Sequence, residues 1–298
     1  MSARRGPRGI GFLVTGLPLG WLALFVLLPL IVVLAISLVE ARVGSPPYTP
    51  FLTWGSGWLP RIHAQSDNYK VLFSDRLYLD AFLGSIRIAG TSAFITLLIA
   101  FPMAYAIARA GESMRTPLLM LVVLPFWTSF LIRVYAWTGI LNSNGLVNNV
   151  LLHLGWIDEP LPLLHTEFAV HLGIVYSYLP FMVLPIFAVL EKLDWAYLDA
   201  AADLGARPWR AFLRVTLPLS LPGILAGFLL VFIPAVGEFI IPELLGGPDT
   251  LMAGRVLWTE FFSNRDWPLA SALAIGLLVL VLVPAIAMFR IAHREERA

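Results

Sequence analysis

Leu198-Asp199-Ala200-Ala201-Ala202-Asp203-Leu204-Gly205-Ala206, closed by Val215-Thr216-Leu217-Pro218, is a polar, alanine-rich stretch set between two long apolar runs. Ala200, Ala201 and Ala202 are strong helix formers, and Asp199 sits near the start of that helix, where the dipole favours an anion. Gly205 permits the left-handed turn that ends it, and Pro208 suits the first turn of a second helix over Trp209–Val215. The stretch therefore predicts helix, turn, helix, the shape a segment needs to fit a groove on another protein. Its alanines leave a low profile, Trp209, Phe212 and Leu213 are anchors, and Arg207, Arg210 and Arg214 form a basic face for acids or lipid phosphates. The plainer alternative is an interfacial helix without a partner.

What surrounds this segment is membrane-like. The chain has 298 residues, of which 59% are hydrophobic and 13% charged, with a mean hydropathy of +0.82. Soluble domains carry roughly 25% charged residues. The apolar residues fall into six blocks, 12–39, 81–108, 117–140, 168–190, 219–241 and 268–290. Each is near the ~20 residues that cross ~30 Å of hydrocarbon. The expected fold is an all-α polytopic membrane protein, one transmembrane domain over 1–298, with the 192–216 segment as its polar loop. Arg4, Arg5 and Arg8 precede an apolar run too long for a signal peptide, so an uncleaved first span is expected. Cysteine is absent, which excludes disulfides, thiolate metal sites and cysteine nucleophiles.

Charge orients the spans. Six spans put both termini on one side, with twelve basic residues: Arg4, Arg5, Arg8, Arg109, Arg115, Lys192, Arg207, Arg210, Arg214, Arg290, Arg294 and Arg297. The other side has six, Arg42, Arg61, Lys70, Arg76, Arg255 and Arg265, against eleven acids. Basic residues stay inside, so both termini and the Asp199–Gly205 loop are expected in the cytoplasm. The acidic outer face either attracts cationic solutes or simply reflects that sorting.

The first outer segment, 40–80, carries Pro46, Pro47, Pro50, Gly55, Gly57 and Pro60 with Tyr48, Phe51, Trp54 and Trp58, and is expected to cap the outer side. A short surface helix is expected over Leu146–Leu154 and an amphipathic one over Thr250–Phe262. Prolines inside spans, among them Pro125, Pro180, Pro185 and Pro234, remove a helical hydrogen bond and bend the helix.

The spacing from Asp199 to Pro218 resembles the EAA loop of permease subunits in binding-protein-dependent ABC importers. That pattern is an acidic residue, two alanines, a downstream glycine and then Ile-x-Leu-Pro. Here Asp199 replaces the usual Glu and Val215 the usual Ile, which keeps charge and branching. Leu124-Pro125-Phe126-Trp127-Thr128-Ser129-Phe130-Leu131-Ile132-Arg133-Val134-Tyr135-Ala136-Trp137 resembles the third-span signature of polyamine importer permeases, putrescine type first and spermidine type next. The run from Phe232 to Asp249 and Asn264-Arg265-Asp266-Trp267-Pro268 extend the resemblance. It implies a type I importer permease fold and a multi-pass inner-membrane protein. Its implied partners are a second homologous permease, a pair of cytoplasmic ATP-binding subunits, an external solute-binding protein and membrane lipid, with no nucleic acid. The coupling residues it implies are Asp199, Ala200, Ala201, Gly205, Ala206, Arg207, Trp209 and Pro218. Related permeases carry other cations, iron or organic solutes, so the alternative is another solute class.

Glu238 is the acid placed within a span, between Pro234 and Pro242. An intramembrane ionisable group is costly and is by default a functional candidate. Its carboxylate suits an ammonium group of a polyamine, with Trp127, Tyr135 and Tyr178 as aromatic candidates along the same path. Structural pairing of Glu238 with Arg133 or Arg87 is the competing reading. Arg133 is expected in a structural ion pair, because a fixed positive charge repels a cation, and Arg87 is expected to snorkel. Tyr176, Phe181, Trp258, Phe261 and Phe262 read first as interface or packing.

Lys70 and Lys192 make no P-loop, so energy must come from another subunit. The histidines form no His-Glu-x-x-His, and Gly-x-Ser-x-Gly is absent. No catalytic residue, metal site or cofactor is expected. A proton-coupled carrier built on Glu238 is the remaining alternative, and it leaves the 199–218 segment unexplained.

Overall fold

The computed structural model describes residues 8–54 and 60–295, with side chains over 15–53 and 61–286. Arg4, Arg5, Gly55, Gly57, Trp58 and Arg297, used in the sequence reading, lie outside the described residues, as do the side chains of Arg8, Trp54, Pro60, Arg290 and Arg294. In chain order the elements are α1 (Arg8–Ser37), β1 (Leu52–Trp54), β2 (Pro60–Ile62), α2 (Asp67–Ser74), α3 (Arg76–Arg109), α4 (Glu112–Val123) and α5 (Phe130–Leu141). There follow α6 (Leu146–His153), α7 (Glu167–Leu190), α8 (Ala196–Asp203), α9 (Pro208–Ala211), α10 (Leu217–Val236), α11 (Ile240–Leu245), α12 (Ala253–Trp258) and α13 (Trp267–Glu295).

Among the described residues, five helices are long and apolar enough to cross a membrane: Thr15–Ser37, Arg76–Arg109, Glu167–Leu190, Pro208–Val236 and Trp267–Ile286. The bent pair Glu112–Trp127 and Phe130–His153 makes a sixth when taken as one span. The span expected over 117–140 with a bend at Pro125 is instead a pair of helices, Glu112–Trp127 and Phe130–His153, that meet in a bend of 86°. Its cause is local. Pro125 stands in a 3₁₀ turn, Leu124–Trp127, after which Thr128 is extended at φ −93°, ψ 152°. The Pro125 carbonyl accepts both the Thr128 N–H at 3.3 Å and the Thr128 hydroxyl at 2.8 Å, which fastens the break.

The chain divides into two compact units, residues 1–76 with 257–278 and residues 77–256 with 279–298. In the first, α1 leaves Leu17, Leu19, Trp21, Leu24 and Leu28 exposed on several faces, as in a helix whose solvent is lipid. The chain leaving α1 is held by Asn68 of α2, whose Nδ2 donates to the Ser37 carbonyl at 2.9 Å and the Val39 carbonyl at 2.8 Å. The Pro- and Gly-rich outer segment forms an antiparallel hairpin pairing Leu52 with Ile62, a small addition to an otherwise helical fold. A π turn over Thr259–Ser263 leads to α13, and Phe261 stacks on Trp267 with 4.9 Å between ring centroids.

In the second unit α7 and α10 pack closely around Met182, Val183, Ile186 and Val231, against Ala93, Ala100 and Ala104 of α3. Gly223 and Gly227 make this possible, since a Cβ on either would fall 2.8 Å from the Pro185 carbonyl or the Met182 sulfur. Between lipid-solvated helices close van der Waals contact, not water exclusion, drives association, and two small residues one turn apart permit it. At the start of α7, Thr166 accepts from the Ala169 N–H at 3.2 Å, and Glu167 sits in the first turn.

Two further boundaries differ from the sequence reading. The fifth span, expected over 219–241, runs instead over Pro208–Val236. Pro218 supplies no N–H, and the π segment Phe212–Thr216 before it shifts the bonding register, so α9 and α10 form one helix. The expected amphipathic helix over Thr250–Phe262 is regular only from Ala253, and Met252 and Ala253 are fully buried rather than on a surface.

Candidate functional site

At the end of α10 the chain breaks over Gly237, Glu238 and Phe239 before α11 resumes. Glu238 lies in this break, and the break accounts for its tolerance near an apolar span. Its Oε1 accepts the backbone N–H groups of Phe239 at 3.1 Å and Ile240 at 3.0 Å, at the start of α11. Its Oε2 accepts from the Tyr178 hydroxyl at 2.6 Å. Glu238 is 8% exposed. Two expected pathway residues, Tyr178 and Glu238, are therefore brought into direct contact.

They border a cavity of about 550 Å³, walled by Phe126, Phe130, Arg133, Ser177 and Phe181, with Pro234 and the 237–240 break closing it. Arg133 is 9% exposed and stands over two rings, its guanidinium carbon 4.8 Å from the Phe126 centroid and 5.8 Å from that of Phe130. Its Nε and Nη1, and the Ser177 hydroxyl, find no hydrogen-bond partner among the described residues. The expected ion pair of Arg133 is corrected: Arg133 makes none among the described residues, and neither it nor Arg87 meets Glu238. Arg87 pairs with Glu167 at 2.6 Å, with both side chains largely exposed, a geometry that contributes little.

Trp127 is 80% exposed and Tyr135 55% exposed, and both stand outside the cavity wall. Sequence reasoning missed Phe126, Phe130 and Ser177. Phe130 carried a signal, lying one helical turn before Arg133. Phe126 reaches the same cation only through the break at Thr128.

The polar loop has its own geometry. Gly205 adopts φ +77°, its N–H donates to the Ala202 carbonyl at 2.8 Å, and the Ala206 N–H reaches back to Ala201 at 3.0 Å. This paired closure is a Schellman motif, and it needs a residue that tolerates the left-handed region. Asp199, Ala200, Arg207 and Pro218 are exposed, as are Tyr197, Leu204 at 90% and Trp209. Trp195, just before α8, meets Tyr105 edge-on at 5.7 Å and takes the Arg109 guanidinium on its face at 5.2 Å. Phe212 meets Phe101 edge-on at 5.4 Å. The loop's open face mixes apolar side chains (Tyr197, Leu204, Trp209) with Asp199, Asp203, Arg207 and Arg210, while its inner face is fastened to α3 by aromatic rings.

A helical membrane protein with an exposed helix–turn–helix and a carboxylate-bearing break beside an aromatic cavity has the parts of a permease. Residues 92–297 match the family of binding-protein-dependent transport system inner membrane components, and the chain belongs to that family. Among its relatives is the spermidine/putrescine transport system permease protein PotB of Haemophilus influenzae, 43% identical over 261 residues, 88% of this chain and 86% of that protein. PotB of Escherichia coli K12 is 38% identical over 262 residues, 88% and 90% of the two chains. The molybdenum transport permease ModB of Mycobacterium bovis is 30% identical over 70% of this chain and 76% of its own. A bacterial alginate ABC transporter, solved with a pentasaccharide-bound periplasmic protein, contains a chain of the same fold (TM-score 0.70, 19% identity, 96% and 95% covered). The protein is thus an inner-membrane permease subunit of the ABC importer type, a transport component rather than an enzyme. Permeases of this class work with ATP-binding subunits and a solute-binding protein.

Proposed function

We propose that this chain is one of two homologous permease subunits of an ATP-driven importer of polyamines of the putrescine or spermidine kind. The observation that carries this reading is its 38–43% identity, across 88% of its length, to permeases named for spermidine and putrescine transport. The cavity is consistent in chemistry: a buried carboxylate attracts an ammonium group, and aromatic walls suit alkylammonium chains. Both termini and the 192–216 loop lie in the cytoplasm in this reading, so Leu204, Trp209, Ala200 and Ala201 face a dimer of ATP-binding subunits.

Transport then proceeds by alternating access. The binding protein delivers solute to the outer loops, and nucleotide-driven closure of the motor moves α8 and α9. That movement has a covalent route to Glu238. Pro208–Val236 is one helix of 29 residues, about 43 Å long at 1.5 Å per residue, with the docking segment at one end and the Glu238 break at the other.

The test is uptake by proteoliposomes holding the full complex with its binding protein. ATP-dependent accumulation of labelled putrescine or spermidine, with matching stimulation of ATP hydrolysis, is the expected result. Uptake that ionophores abolish and ATP does not affect would sink the ABC mechanism, and stimulation only by a different solute class would sink the polyamine substrate.

A further inference from the structure

Arg133 is a buried charge with no ion pair among the described residues. A guanidinium keeps its proton at any physiological pH, and a buried charge without a partner is costly. Arg133 is 9% exposed, with Nε and Nη1 unpartnered among the described residues, yet Glu238 borders the same cavity. The two form no ion pair among the described residues, and the Glu238 oxygens accept instead from Phe239, Ile240 and Tyr178. Nor does Arg133 move freely, since the Phe126 and Phe130 rings hold its guanidinium. One cavity therefore contains two opposite charges fixed apart.

We infer that Arg133 is a specificity-determining residue of the cavity, a tethered cation that weakens the hold of Glu238 on an arriving ammonium group and so sets release. The inference rests on the polyamine reading above. A carboxylate buried alone in an aromatic cavity would bind an alkylammonium tightly and surrender it slowly. A fixed guanidinium on the same wall opposes that binding with every positive charge the solute carries. It also directs the remaining ammonium groups of a polyamine away from the Phe126–Phe130 wall. The opposition grows with solute charge, so the site favours release of the most highly charged solutes, which the carboxylate alone would retain longest.

The experiment compares wild type, Arg133→Gln and Arg133→Lys in the assembled complex. It measures equilibrium binding of labelled putrescine and spermidine without the binding protein, and uptake turnover in proteoliposomes with it. Arg133→Gln is expected to bind spermidine about tenfold more tightly, the scale of one like charge acting across a cavity at an effective dielectric of ~20. Putrescine should gain less, and turnover should fall. Arg133→Lys keeps the charge and should stay near wild type. Unchanged or weaker binding by Arg133→Gln overturns the inference, as does equal behaviour of the Gln and Lys variants. Failure of Arg133→Gln to assemble where Arg133→Lys assembles also overturns it, because the role of Arg133 is then to hold the Phe126–Phe130 wall together rather than to set solute release. Absence of polyamine binding and uptake in the wild-type complex overturns the polyamine reading itself, and this inference with it.

Discussion

The cavity around Glu238 and the loop around Gly205 are opposite solutions to exposure. At the cavity, the carboxylate is satisfied by its own chain, with three donors on two oxygens. At the loop, backbone groups are satisfied by the Schellman closure, but Leu204, Trp209 and Tyr197 are left in the open. A region whose carboxylate is held by fixed donors, while Arg133 and Ser177 keep unpartnered polar atoms among the described residues, is built to hold a shape around something small. One that leaves apolar side chains uncovered is built to be covered by something large. The continuous helix Pro208–Val236 joins the two.

The comparison breaks most sharply if damage at one end appears at the other. The largest effect is expected from Leu204→Asp combined with Trp209→Asp. Two central apolar anchors lost from a protein interface cost about 100-fold or more in affinity. ATP-binding subunits should no longer co-purify, while polyamine binding to the permease pair persists. Glu238→Ala is expected next. It strands two backbone donors and a tyrosine hydroxyl, about 2 kcal/mol or roughly 30-fold in uptake, with co-purification of the motor intact. Loss of the motor in that variant would show that the two regions are not separate.

Smaller changes sharpen the contrast. Tyr178→Phe removes one hydrogen bond to a charged acceptor, about 1.5 kcal/mol, and should lower uptake roughly tenfold without altering assembly. Gly205→Ala puts a Cβ in the left-handed region at a cost of about 1 kcal/mol. Motor affinity should fall about fivefold in a titration of ATP-binding subunits, with solute binding untouched. An unchanged affinity would mean that the turn is not part of the docking surface.

The loop was legible because its signals are local. Ala200–Ala202 favour helix, Gly205 ends it and Pro208 starts the next, all within one short window, and the structure has each where the residues call for it. Span number was legible for a related reason, since length and apolarity are local counts. What failed depended on distance. Pro125 marked a bend within 117–140, but nothing near it in sequence tells how far the span will turn, and the structure makes the angle 86°. Pro218 looked like a loop boundary, yet a π segment carried the helix through it.

From its sequence alone this chain reads as a polytopic helical membrane protein with a polar helix–turn–helix loop, because hydropathy, capping and turn chemistry act between near neighbours, and its motifs add the resemblance to a permease. Only the tertiary structure decided what Glu238 touches, that Arg133 stands apart from it over Phe126 and Phe130, and that Trp127 and Tyr135 lie outside the cavity. Those facts depend on how α5, α7 and the break after α10 meet. Side chains from three separate stretches become neighbours only when the helices that carry them have packed.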